Sequence, residues 1–200
     1  PVELREGERR SFASRGRRVV YLAVPGGLDT PLVDGSRNAL LAAGIGRPIR
    51  RGDTLPLAHS TGSEDVMPNR FDRLYSRDHD ARNDDAIVLC AGPDTSDELR
   101  AAIEAGDFAI SPASDRAGTR LTGPTLPTRA EALKGSSSGT RASTPMVEGA
   151  VELTPSGLVV LGPDHPTTGG YPVPAVVASA SRDAFFARPL GAPVRFTFRE

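Results

Sequence analysis

A chain of 200 residues is long enough for one large or two small domains with a sizeable core. With 38% hydrophobic and 24% charged residues and a net charge of −1, it reads as a globular protein, not a disordered one, with no electrostatic case for nucleic acid or an acidic membrane surface. Its apolar runs are too short to cross a bilayer, no charged-then-apolar leader opens it, and its one cysteine, Cys90, cannot form an internal disulfide, so a cytoplasmic protein is expected.

Taken in order, Arg17–Val24 (RRVVYLAV) is β-branched and apolar, and predicts a buried strand ended by Pro25-Gly26-Gly27. Ser36–Ala43 predicts a short helix with Ser36 as its cap and Gly44 as its stop. Ile49–Leu57 carries Arg51-Gly52-Asp53, read as a turn after a short strand. Residues 58–85 are polar, show neither helical nor strand period, and predict a linker between an N-terminal part (1–57) and a C-terminal subdomain (86–200). Ala86–Ala91 predicts a strand. The helix after it is marked by Thr95 or Ser96 as cap, Asp97 and Glu98 in its first turn, Leu99 and Ile103 on one face, and Gly106 as stop. Short strands near Phe108–Ser111 and Arg120–Thr122 precede a Ser/Gly/Thr-rich loop, Thr128–Pro145. Val147–Gly162 predicts a hairpin with Thr154-Pro155-Ser156-Gly157 at its tip, and Ala175–Ala180 and Val194–Phe198 the last strands. The sum is a mainly β chain with minor α content, in a barrel or sandwich.

Several chemical signals dissolve on inspection. Gly135-Ser136-Ser137-Ser138-Gly139 has the spacing of an esterase elbow but lacks the strand before it and the helix after it. Lys134, the only lysine, precedes those glycines and so fails as a phosphate-loop lysine. Asp78-His79-Asp80 has no spaced partner that would make it a metal site, and no metal is expected. Two dense stretches remain. Ser114–Pro124 (SDRAGTRLTGP) sets Ser114, Asp115, Arg116 and Arg120 around Gly118, where an arginine held on a turn can clamp a carboxylate through two parallel hydrogen bonds. Asp164–Val177 (DHPTTGGYPVPAVV) carries more rigid and permissive backbone than a reversal needs; His165 within it reads as a support for the loop.

Together these stretches resemble the paired signatures of one family, the biotin-dependent carboxyltransferase subunits, or allophanate hydrolase subunit 2-like proteins. The C subunit of prokaryotic 5-oxoprolinase and an antagonist of a sporulation-kinase inhibitor belong to it. Tyr21–Gly46 (YLAVPGGLDT…GSR), Arg50–Leu55 (RRGDTL) and the strand leading into Gly92-Pro93 resemble its other motifs, in the family's order. The family's usual opening is missing, Ser143-Thr144-Pro145 stands where Ser-Glu-Gly is usual, and Ala117 and Thr119 replace aromatic or methionine positions, so an N-terminally truncated member is expected.

The resemblance implies a cyclophilin-like β-barrel, a sister subunit of related fold and, in 5-oxoprolinase, a third subunit. It implies ATP-dependent opening of 5-oxo-L-proline to L-glutamate. The alternatives are carboxyl transfer to a urea- or amide-like acceptor, with biotin arriving on a partner chain, and non-catalytic antagonism of a kinase inhibitor. Both reactions build charge on an amide-like oxygen that must meet fixed donors. The expected catalytic set is Asp115, Arg116 and Arg120, with Asp115 orienting an arginine. Ser114, Thr167, Thr168, Gly169, Gly170 and Tyr171 would hold the substrate, and ATP would be used at the level of the complex.

Overall fold

Ten short strands and two helices account for the regular structure of the computed structural model, which describes residues 5–12, 17–59, 86–127 and 142–199. Contacts divide the chain into two units, residues 1–20 with 78–200, and residues 21–77. No described helix is long and apolar enough to cross a membrane.

The larger unit is built on β1 (Ile87–Ala91), β2 (Phe108–Ile110), β3 (Gly118–Thr122), β5 (Ala150–Thr154), β6 (Gly157–Leu161), β8 (Ala175–Val177), β9 (Pro193–Val194) and β10 (Phe196–Phe198); β4 (Thr144–Pro145) and β7 (Thr168–Gly169) form a separate pair. The eight-stranded order is β10-β1-β8-β5-β6-β3-β2-β9. Its two outer members belong to one extended stretch interrupted only at Arg195. The first half of that stretch pairs antiparallel with β2 and the second half parallel with β1, and the Arg195 carbonyl accepts from Ile87 N–H at 2.8 Å. The sheet therefore returns on itself. A mainly β, cyclophilin-like barrel with minor α is what results, and closure leaves no long edge exposed.

The period-2 rule sorts the side chains. Ile87 and Leu89, Val151 and Leu153, Leu158 and Val160, and Phe196 and Phe198 point inward and form one buried cluster. Helix α1 (Asp97–Ala105) adds Leu99 and Ile103, and α2 (Ser179–Ala187) adds Phe185, whose ring lies 6.4 Å from Phe196. Ser96 caps α1 through its hydroxyl to Leu99 N–H at 3.2 Å, and Gly106 follows its end, both as expected. The hairpin turns where predicted: Thr154 pairs with Gly157 across Pro155-Ser156.

Several expectations fail for physical reasons. Arg17–Val24 forms no strand, and Val19, Val20, Tyr21 and Leu22 are exposed; a β-prone run becomes a strand only where a ladder partner accepts it, and no described strand does. Ser36–Ala43 gives only a 3-10 turn, Leu41–Ala43, although Gly44 ends it in the left-handed region as expected; the Ser36 hydroxyl turns back to Asn38 N–H at 3.1 Å. The strand predicted for Ala175–Ala180 stops at Val177, and α2 begins at Ser179.

The described part of the smaller unit, residues 21–59, is held by turns and by the bridge between Leu28 and Leu57. Asp34 and Gly35 both have positive φ, closing Val33 against Ser36 through two hydrogen bonds, the mirror-image turn that Asp-Gly favours. Arg51-Gly52 does turn, but no strand precedes it; Asp53 accepts from the Arg47 guanidinium and from Arg50 N–H, which lowers its pKa to about 2. The predicted linker lies outside the described residues from 60 onward, as do Asp78-His79-Asp80 and Lys134 to Gly139.

Candidate functional site

The two dense stretches meet in space. Gly162 N–H donates to the Ala117 carbonyl at 3.0 Å and Asp164 N–H to the Arg116 carbonyl at 3.1 Å, so the approach to the second stretch lies against the first. Arg116 and Asp164 then join side chain to side chain, Nε to Oδ2 at 2.6 Å and Nη2 to Oδ1 at 2.9 Å. This pairing holds the Asp164 carboxyl below the usual carboxylate range. The carboxylate that meets an arginine here is thus Asp164, not Asp115. Asp115 caps its own turn, accepting from Ala117 and Gly118 N–H at 2.9 Å each, and the Ser114 hydroxyl accepts from Arg120 N–H at 3.0 Å. Both are local turn chemistry that fixes where β3 starts.

From that start, β3 sends Thr119 and Leu121 into the barrel and Arg120 outward. Register does the rest. Arg120 lies opposite Val159 of β6, and Val159 opposite Glu152 of β5, so the three form one row across three strands on the outer face. Two interstrand steps put the Arg120 and Glu152 Cα atoms about 10 Å apart. Arg120, Glu152, Thr154, Pro155, Ser156, Val159 and Tyr171 line a cleft of ≈ 490 Å³, a size typical of small-molecule sites. Among the described residues no carboxylate pairs with the Arg120 guanidinium, which faces the cleft free to take one.

The second stretch walls this cleft. β7 crosses outside β5, where Thr168 pairs with Pro145 and Gly169 with Thr144. A Cβ at Gly169 would stand 2.6 Å from Glu152 Oε1 and 2.8 Å from Met146 Cε, so a larger residue here would push the ends of these two side chains aside. After it the chain is pinned: Leu153 N–H donates to the Pro172 carbonyl at 2.9 Å, and Asp94 Oδ2 accepts from Val173 N–H at 2.7 Å. Tyr171, 40% exposed, projects from this fixed segment to the cleft. His165 Nδ1 lies 2.8 Å from the Pro166 carbonyl, consistent with a support for the loop.

Residues 1–198 match the protein family described as carboxyltransferase domain, subdomain A and B. The chain belongs to that family. This carboxyltransferase-domain chain is 31% identical over 184 residues to the 5-oxoprolinase C subunit of Escherichia coli (strain K12), an alignment covering 88% of the chain and 54% of the relative. It resembles the crystal structure of TTHA0988 in space group P212121 with a TM-score of 0.61 and 28% identity, covering 86% of the chain and 32% of that structure. The urea carboxylase of Kluyveromyces lactis shares the fold at a TM-score of 0.50 and 23% identity, over 57% of the chain and 11% of the larger protein. The chain spans about half the length of the curated relative it matches.

Within this carboxyltransferase-domain chain, the structure brings Arg120 and Tyr171 into the cleft and sets Gly169 against its wall. Arg116 is engaged with Asp164 in an exposed pair outside the cleft lining, Ser114 and Asp115 serve the turn, and Thr167 and Thr168 are exposed, with the Thr167 carbonyl accepting from Met146 N–H at 3.0 Å. Sequence reasoning misses Glu152. Alternation along Val151-Glu152-Leu153 puts it on the outer face, which in a lone hairpin means solvent, whereas here the β4–β7 pair leaves it 7% exposed. Burial pushes its pKa up. Among the described residues no three His, Cys, Asp or Glu side chains gather closely enough to hold a metal ion.

Proposed function

We propose that this chain is part of a 5-oxoprolinase-type subunit and that the outer-face cleft receives the small amide substrate. The observation that supports this is the cleft itself: in a segment similar along most of its length to a 5-oxoprolinase C subunit, an arginine without a carboxylate partner among the described residues lines a small cleft with a tyrosine. 5-Oxo-L-proline is a five-membered lactam with one carboxylate. Arg120 would take the carboxylate in a charge-assisted pair, Val159 would meet the ring methylenes, and Tyr171 would close the open side. Ring opening breaks the lactam C–N bond and adds water across it, giving L-glutamate, with ATP hydrolysis supplying the drive. One arginine beside a buried carboxyl group is poorly matched to a triphosphate, so ATP is assigned to the assembled complex and its other subunits.

The test is glutamate release from 5-oxo-L-proline and ATP, measured with the full-length subunit and its sister subunits together. Arg120→Ala should lower kcat/KM by about 10–100-fold, the worth of a hydrogen bond to a charged group. Wild-type turnover with an unaffected Arg120→Ala variant would remove the cleft from the reaction. Carboxyl transfer, which the family's description names, competes with this reading; incorporation of label from bicarbonate into an amide acceptor, blocked by avidin, would favour it instead.

A further inference from the structure

Glu152 is the one ionisable group lining the cleft that this reading leaves unused, and its surroundings are unusual for a carboxyl group. It stands on the outer face of β5, where glutamate is ordinarily solvated, yet β7 covers it and Gly169 lies against its Oε1. The elements packed around it offer few charges. β6 contributes Val159, β7 Gly169 and the β4 segment Met146, none ionisable. Arg120 comes from β3, and Tyr171 from the loop after β7. Arg120 stands on the far side of Val159, and among the described residues no basic side chain pairs with Glu152. An ionised carboxylate held out of water without a partner is disfavoured, so burial shifts Glu152 toward its protonated form. A protonated carboxyl group has what a carboxylate lacks, an O–H to donate.

We propose that Glu152, acting as a neutral acid, donates a hydrogen bond to the carbonyl oxygen of the bound amide, and that with Arg120 it selects small lactams carrying a single carboxylate. This rests on the cleft being the substrate site argued above. The two groups sit at opposite ends of one cross-strand row with an apolar residue between them. That matches a ring whose carboxylate and lactam carbonyl lie on opposite sides. Water attack on the lactam carbon puts negative charge on the same oxygen, so the donor holds the developing oxyanion more strongly than the substrate. A bound acceptor interacts with the protonated form alone, and so raises the fraction of Glu152 that keeps its proton.

Calorimetric titration of the purified chain with 5-oxo-L-proline, over a pH series from acid to neutral, tests this. Above the titration of the ligand's own carboxyl group, wild-type binding should be tightest at the lowest pH and weaken by up to about tenfold per pH unit above the titration of Glu152. Glu152→Gln, whose amide donates at every pH, should bind with a flat profile and the same fold. Cyclopentanecarboxylate, which keeps the carboxylate and lacks the carbonyl, should show no such pH dependence, and Arg120→Ala should lose both ligands. Wild-type binding that is absent, flat or stronger with rising pH would overturn the assignment, the last by making Glu152 an acceptor for the lactam N–H; so would a Glu152→Gln variant that keeps the wild-type profile. The two readings separate cleanly. Glutamate release by the complex with binding indifferent to Glu152 removes this inference and leaves the function, whereas the expected binding profile without glutamate release removes the function and leaves the chemistry of the cleft.

Discussion

The two faces of strands β3, β5 and β6 use one alternation for opposite ends. Inward, Leu121, Val151, Leu153, Leu158 and Val160 are buried among hydrocarbon from α1, α2 and the far wall of the barrel. Outward, the same strands carry Arg120, Glu152, Thr154 and Val159, covered only in part by the β4–β7 pair and the segment after it. The inner face is closed by many redundant contacts, so no one residue decides its form. The outer face is covered by a two-stranded layer that brings Gly169 against the ends of Glu152 and Met146. A barrel wall can thus be stable on one side and selective on the other, because the period of a strand keeps the two sets of side chains independent.

The comparison breaks most visibly from the inside. Phe185 is fully buried and touches the aromatic cluster of Phe186 and Phe196, so Phe185→Ala should cost about 3–5 kcal/mol, read as a shift in the denaturant midpoint without a change in slope. A loss near that of a surface substitution would mean that α2 does not seal the barrel. On the outside, Gly169→Ala inserts a methyl group where Glu152 and Met146 already stand. Because those atoms are the ends of flexible side chains, it should cost no more than about 1 kcal/mol and, unlike Phe185→Ala, should weaken 5-oxo-L-proline binding by more than its effect on stability accounts for. Equal effects on folding and binding would remove the distinction between the faces.

What is legible in the sequence follows the same division. β5, β6 and the turn between them are readable because Val-Glu-Leu-Thr alternates and Pro-Ser-Gly can only turn. α1 is readable because Ser96, Asp97, Glu98 and Gly106 spell its ends. α2 is not: Ala178 caps it with no side-chain bond, no acid stands in its first turn, and Val176-Val177-Ala178 continues the look of the strand before it. Arg17–Val24 misleads for the converse reason, since apolar extended residues look alike whether or not a partner pairs with them. The signature stretches point to the right neighbourhood, and Arg120 and Tyr171 reach the cleft. Arg116 is indistinguishable from Arg120 by composition; register alone sends one to an exposed pair and the other to the cleft. Glu152 is covered by the segment that carries Gly169, a contact between distant residues that no local pattern records.

Smaller effects mark the edges of the contrast. Ser96→Ala removes the α1 cap, far from the cleft in sequence and chemistry, and should cost about 1 kcal/mol with ligand binding unchanged, checked by thermal melts alongside titration.

The exposed pair of Arg116 and Asp164 offers the finest test, because it separates what Asp164 does from what Glu152 does by the sign of a pH effect. Arg116 holds the Asp164 pKa below its ordinary value, so the pair stabilises the fold above the unfolded carboxyl pKa, and that contribution fades as pH falls through the lowered folded value. Both side chains are about half exposed, which limits the stake to about 0.2–1 kcal/mol and makes it sensitive to salt. Asp164→Asn should therefore melt slightly below wild type at neutral pH and converge with it in acid. Glu152, with its pKa raised, runs the other way: its neutral form stabilises the fold below the unfolded pKa, and that advantage is lost as pH rises through the folded value. Glu152→Gln should accordingly gain on wild type as pH rises, while Asp164→Asn falls behind. Melts of both variants across one pH series would show opposite slopes if the pair is solvated and the cleft is shielded. Parallel slopes would place the two carboxyl groups in the same kind of environment and erase the boundary between exposed pair and cleft.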